Sequence, residues 1–268
     1  MKILVTEEQF KRLISEELGI SMDVKDEAEK LFKVIVDDVA KHMPDFNKER
    51  FFSTYTGSFT YDFLGIELSC GYNAINYYEK FYAESYKADS LGSSYYVGRN
   101  LFLFNITVPC ISGRVVKSDV MDTIQHELEH IYQQSLMKKR FGDTEAYYRI
   151  RTNMESQDPF KSRVARLAYG CMEGEQEGHV NGMYAYIIAA TFEFDMVLFR
   201  STSCYKLYRD MCETFEELSD DERFEDEIRQ YGLTKNKIKK SLKTFARRIA
   251  RTAAKAKRDK MAMQCFRI

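Results

Sequence analysis

Two rhythms of apolar residues divide the chain. Between residues 50 and 108 apolar and polar positions tend to alternate, the two-residue period of a half-buried strand. Elsewhere they recur at three and four, the period of an amphipathic helix. The alternation predicts strands at 51–63 and 66–72 around Gly65. It also predicts a hairpin of 93–97 with 100–108 across Gly98 and Arg99, closed by Pro109. The aromatic stretch 73–87 reads either as a short helix or as irregular chain. A helix is expected at 22–43, with Ala28, Leu31, Phe32, Val34, Ile35, Val39 and Ala40 on one side and Pro44 at its end. From 115 onward helical periodicity dominates: 121–134, a helix that runs on to about 140–142, then 144–156, 160–169, 183–192 and 235–260. The expected fold class is therefore α+β: a small, mostly antiparallel sheet, then a motif-bearing helix, then a largely helical C-terminal half.

The motif is His126-Glu127-Leu128-Glu129-His130, a full match to H-E-x-x-H. Random placement of this chain's 4 histidines gives such a match in roughly 0.6% of cases. On a helix the two imidazoles leave one face a turn apart, a spacing that lets both bind one zinc ion. Glu127 points about 100° further round and can serve a metal-activated water as general base without being a ligand. Val120, Met121, Ile124, Leu128, Ile131 and Tyr132 sort to the opposite side, so the histidines sit on a polar front. Ser118 or Asp119 is the expected N-cap. His42, near the end of a helix, reads as structural.

The segment resembles the zincin metallopeptidases, for which this motif is the hallmark. Gln133 stands where the metzincin extension has glycine, and that extension's closing histidine is absent. The resemblance is accordingly to gluzincin-like members, whose third ligand is a glutamate on a later helix. It covers about residues 95–192, and it implies that the strand near 100–108 is the cleft edge to which a peptide substrate adds.

A second informative stretch, 170–182, is acidic and spaced by glycines, and it leads into a Tyr- and Ala-rich core helix. Acids and a histidine on a half-buried helix cost free energy unless paired or metal-bound. By the resemblance, Glu175 opens an E-x-x-A-(D/N) frame with Gly178 at the alanine position, which makes it the expected third ligand. His179 departs from that frame, so Glu177 and His179 stay open as alternatives. Tyr169 and Tyr184 flank the stretch as candidate oxyanion donors.

Composition adds bounds. The 268 residues carry 44% hydrophobic side chains, with 18 Tyr, 19 Phe and no Trp, enough for a sizeable core. Six cysteines show no C-x-x-C spacing, and residues 1–8 do not read as a secretory signal. Reduced thiols in a cytoplasmic setting, not a secreted one, are the expectation. No apolar run approaches 18 residues, so no membrane span is expected.

The net charge of −1 hides two blocks. Residues 213–227 hold nine acids and one arginine, and residues 235–260 hold twelve Lys/Arg and one acid. A basic amphipathic helix of this kind docks on the acidic block, on nucleic acid or on a membrane surface. Residues 1–18 form a short capped helix by pattern, with Thr6 as cap and Phe10, Leu13, Ile14 and Leu18 as stripe. They resemble an opening segment common to many tailed-bacteriophage proteins, which implies docking to phage structural proteins and a host-cytoplasm or virion setting.

Three divisions follow: 1–20 as address segment, 21–200 as the zincin-like metallopeptidase domain, 201–268 as a helical extension. The expected function is a zinc-dependent metallopeptidase acting on protein or peptide substrate. Its metal is Zn2+ on His126, His130 and Glu175, and its base is Glu127. The competing expectation is a non-enzymatic virion or cargo protein that keeps the scaffold and works through its ends.

Overall fold

The computed structural model describes residues 22–42, 52–77, 92–98, 101–135, 144–191 and 194–265. The address segment expected at 1–20 and the aromatic stretch 78–87 lie outside them, as does the end of the motif helix expected at 140–142. The described chain is α+β. By its internal contacts it falls into two compact units: residues 1–132 with 188–191, and residues 133–187 with 192–268.

In the first unit, helix α1 (Met22–His42) is followed by strands β1 (Phe52–Phe63), β2 (Ile66–Tyr77), β3 (Gly92–Gly98), β4 (Leu101–Ile111) and β5 (Arg114–Val115). The β1–β2 turn needs a left-handed backbone at Leu64 and Gly65, and Gly65 supplies it without a Cβ clash. The sheet order is β1-β2-β4-β3, with β5 beside β4. The expected hairpin is present as the antiparallel β3–β4 pair. The sheet is mostly antiparallel, as expected, but it is mixed: β1–β2, β3–β4 and β4–β5 pair antiparallel, whereas β2 and β4 run parallel. The chain reverses once into β3 and again into β4, and two reversals leave β4 running as β2 does. One expectation is corrected: β4 lies between β2 and β3, so the edges of the described sheet are β1 and β3 and not the strand at 100–108. Residues 73–77, read as helix or irregular, extend β2.

One sheet face is apolar. Phe63, Leu68, Cys70, Ala74, Phe102, Phe104 and Val108 are at most 2% exposed. Leu31, Ile35 and Val39 of α1 are equally buried. The Tyr61 hydroxyl donates to Glu27 Oε2 at 2.6 Å, and Tyr72 donates to Asp38, both on α1. His42 stacks on Tyr55 with ring centroids 4.2 Å apart, in keeping with a structural role. Helix α2 (Lys117–Ser135) carries the motif. It begins ahead of the expected caps, its first bond running from Val120 N–H to the Val116 carbonyl.

The second unit is helical. It contains α3 (Thr144–Met154), α4 (Pro159–Gly170), α5 (Glu173–Ala189), α6 (Met196–Ser201), α7 (Ser203–Leu218), α8 (Phe224–Gln230) and α9 (Lys235–Cys265). Asp158 caps α4 by accepting from Phe160 N–H at 2.9 Å, with Pro159 at the first helical position. Thr202 caps α7, and Thr234 accepts from Lys237 N–H at the start of α9. Phe215, Phe224, Ile238 and Phe245 give α7, α8 and α9 a common apolar interior. The extension expected at 201–268 thus shares its compact unit with residues 133–187. Cys70, Cys110, Cys171, Cys204 and Cys212 are free thiols. Among the described residues no helix is long and apolar enough to cross a membrane.

Candidate metal centre

Two helices, α2 and α5, carry the candidate site residues. Helix α2 ends with Gln133–Ser135 in the second unit, and α5 ends with residues 188–189 in the first.

On α2 the motif helix forms as expected, but its polar front is not a solvated one. Asp122, His130 and Gln133 on that front are between 3% and 8% exposed and Asp119 and His126 are half-buried, while Gln125, Glu127 and Glu129 on its flanks are between 2% and 8% exposed. The His126 and His130 Nε2 atoms face one another at 3.0 Å, with ring centroids 4.5 Å apart. Two imidazole nitrogens this close are placed to share one proton or one cation.

Glu127 lies beside them and meets the edge strand. The Ser94 hydroxyl on β3 donates to Glu127 Oε2 at 2.7 Å. The approach of strand to helix depends on Gly92. A Cβ there would stand 2.4 Å from Thr123 Cγ2 and 3.1 Å from Glu127 Cγ. Sequence reasoning did not find Ser94. It is 33 residues from Glu127, and nothing local marks it.

Helix α5 starts at Glu173, ten residues ahead of the core helix expected from 183, so residues 173–182 of the acidic, glycine-spaced stretch are helical. Glu175 and His179 are therefore i and i+4 on one face. Glu175 is 2% exposed. Tyr169, at the end of α4, hydrogen-bonds its carboxylate, and burial with the Glu175 charge holds that phenol protonated well above its ordinary range. Tyr169 thus positions Glu175. Tyr184, the other candidate donor, is committed elsewhere: its hydroxyl donates to Asp259 Oδ2 at 2.7 Å.

Glu177 is also committed. Its Oε2 accepts from Gln133 Nε2 at 3.0 Å, and Arg248 stands 3.8 Å from its Oε1. The Gln133 contact ties the end of α2 to α5.

One ligand-type atom from each of His126, Glu175 and His179 lies within 4.8 Å of the other two. Among the described residues this is the group that could hold a metal ion. It brings together two expected site residues, His126 and Glu175. It includes His179, which the sequence left as an alternative, and excludes Glu177. His130 stands outside that trio but in contact with His126. The donors are imidazole nitrogens and a buried carboxylate, a set that suits zinc and other borderline divalent ions.

No family model matches the chain, and no curated protein or solved structure matches it.

Proposed function

We propose that the chain is a zinc-dependent peptidase whose metal is held by His126, His130 and Glu175, with Glu127 as general base. The observation that carries this reading is the convergence of His126, Glu175 and His179 beside the close His126–His130 pair. The site fits a zinc ion by its donors: paired imidazoles and a buried carboxylate, oriented by Tyr169. Bound there, zinc would act as a Lewis acid that polarises a carbonyl and acidifies water.

The protein's own groups supply the rest. Ser94 occupies Glu127 Oε2, which fixes the carboxylate plane and leaves Oε1 to take a proton from water and return it to the departing amine. Tyr169 keeps the Glu175 carboxylate turned to the cluster.

The intact glutamate is what separates this reading from a structural metal site, which has no use for a base. The experiment pairs zinc content by elemental analysis with cleavage of a peptide library, in wild type and Glu127→Gln. The expected variant keeps about one zinc per chain and loses roughly 10²- to 10⁴-fold in turnover, the usual worth of a general base. Equal turnover in the two proteins refutes the assignment of Glu127.

A further inference from the structure

Helix α9 divides its cations into two sets. One set works inside its own unit. Lys235 pairs with Glu225 at 3.2 Å, Lys237 donates to the Gly232 carbonyl, and Arg248 meets Glu173 at 2.8 Å. Lys239 and Lys255 lie over the rings of Phe215 and Tyr184, and Lys260 donates to the Ile187 carbonyl at 2.6 Å.

The other set is Lys240, Lys243, Arg247, Arg251 and Arg258, while Lys257, also exposed, lies about 40° outside their arc. All five are exposed, and none makes an ion pair among the described residues. At 100° per residue they fall within an arc of about 80°, as a stripe running about 27 Å along the helix. The acidic block of α7 and α8 does not pair with it: among the described residues the block's one ion pair with α9 is Glu225 to Lys235, outside the stripe. Like charges four residues apart weaken a helix, so the stripe is not there for the helix's sake.

We infer that this stripe binds the phosphate backbone of a duplex nucleic acid. Charge and shape both favour that partner: a straight, single-sign row about 27 Å long matches a regular line of phosphates. An anionic membrane fits less well. Ile238, Phe245 and Ile249, the apolar side of α9, are buried in the protein, and no apolar face remains for insertion. Base reading is not implied, because Lys and Arg contacts to phosphate carry no sequence information directly.

The test is fluorescence anisotropy of the full chain with a labelled 24-base-pair DNA duplex and its RNA counterpart, between 50 and 200 mM salt. Five phosphate contacts give a slope of log Kobs on log salt of up to about −4.5. The triple variant Lys243→Gln/Arg247→Gln/Arg251→Gln is expected to reduce that slope by about 2.7, with its circular dichroism unchanged. The exposed pair Lys33→Gln/Lys41→Gln on α1 is expected to leave it alone. Binding of either duplex with this pattern supports the inference, and preference for one names the nucleic acid. The inference is overturned by absence of binding at 50 mM salt, or by an equal slope in the triple variant. It is equally overturned if the triple variant abolishes self-association or vesicle binding while neither duplex binds.

Discussion

Glu175→Gln is the most informative single change, because the two residues differ by charge and hardly at all in shape. The carboxylate is 2% exposed and accepts from Tyr169, and the amide oxygen of glutamine can accept the same bond. The change therefore removes an anionic metal ligand without opening a cavity. Structural zinc sites bind with about 10–16 kcal/mol, or about 2.5–4 kcal/mol for each of four ligands. That corresponds to a Kd weakened by about 10²- to 10³-fold. At zinc equal to about 100 times the wild-type Kd, binding stabilises the wild type by about 2.7 kcal/mol, and the variant by under about 0.4 kcal/mol. For a chain of this size the melting shift on adding zinc falls from roughly 5–11 °C to under about 2 °C. The measurement is thermal unfolding of chelator-treated protein, with and without zinc. The metal-free variant should melt no lower than metal-free wild type, since a buried charge has been removed. A zinc-linked shift that survives Glu175→Gln refutes the ligand assignment. A drop in the metal-free melting temperature would point instead to a purely structural carboxylate.

Three further outcomes are expected. Ser94→Ala should leave zinc content unchanged while kcat falls about tenfold and KM stays put, because only the orientation of Glu127 is lost; loss of zinc would contradict a positioning role. His179→Ala should keep its zinc within about tenfold and retain turnover if His130 is the third protein ligand, as titration against a competing chelator would show. Burial pushes the Cys110 thiol up to about 12, so its thiolate is scarce at pH 8 and alkylation should run about 10³-fold slower than for a free thiol; rapid labelling of Cys110 by mass spectrometry would contradict that burial.

What could be read in the sequence was local. The H-E-x-x-H spacing fixes two imidazoles on one helix face wherever that helix packs, and they are 3.0 Å apart. The hairpin of β3 and β4 is similarly written in alternation over a short span. Pairings between distant segments were not legible. Nothing in the pattern of 66–77 says that its neighbour is a parallel strand some 35 residues on, so the antiparallel default was wrong for β2 and β4. Nor does it say that the edge strand will bring Ser94 to Glu127. The start of the helix through 170–182 was not legible either, because the stretch is rich in glycine. Each glycine costs roughly 1 kcal/mol against alanine in a helix, so local propensity does not mark where the helix begins. Burial of Glu175, Gln176, Val180 and Asn181 in α5 outweighs that local preference.

The count of ligands, more than their identity, decides what the site can do. Each helix presents a pair at i and i+4: His126 with His130 on α2, Glu175 with His179 on α5. If all four bound one zinc, the coordination shell would be closed, as in structural sites, and no position would remain for water or substrate. Catalysis requires that one of the four stand back. Glu175 is the poorest candidate to do so, being the most buried of the four and held by Tyr169. His126 belongs both to the close imidazole pair and to the trio with Glu175 and His179. The choice thus falls between His130 and His179. The proposed peptidase gives His130 to the metal, because the motif spacing delivers it there. His179 then lies beside the site, within reach of groups that gather around the metal. A buried base bonded to the edge strand is useful only with such an open position. The Ser94–Glu127 contact and the ligand count are therefore two tests of one question, and they must agree.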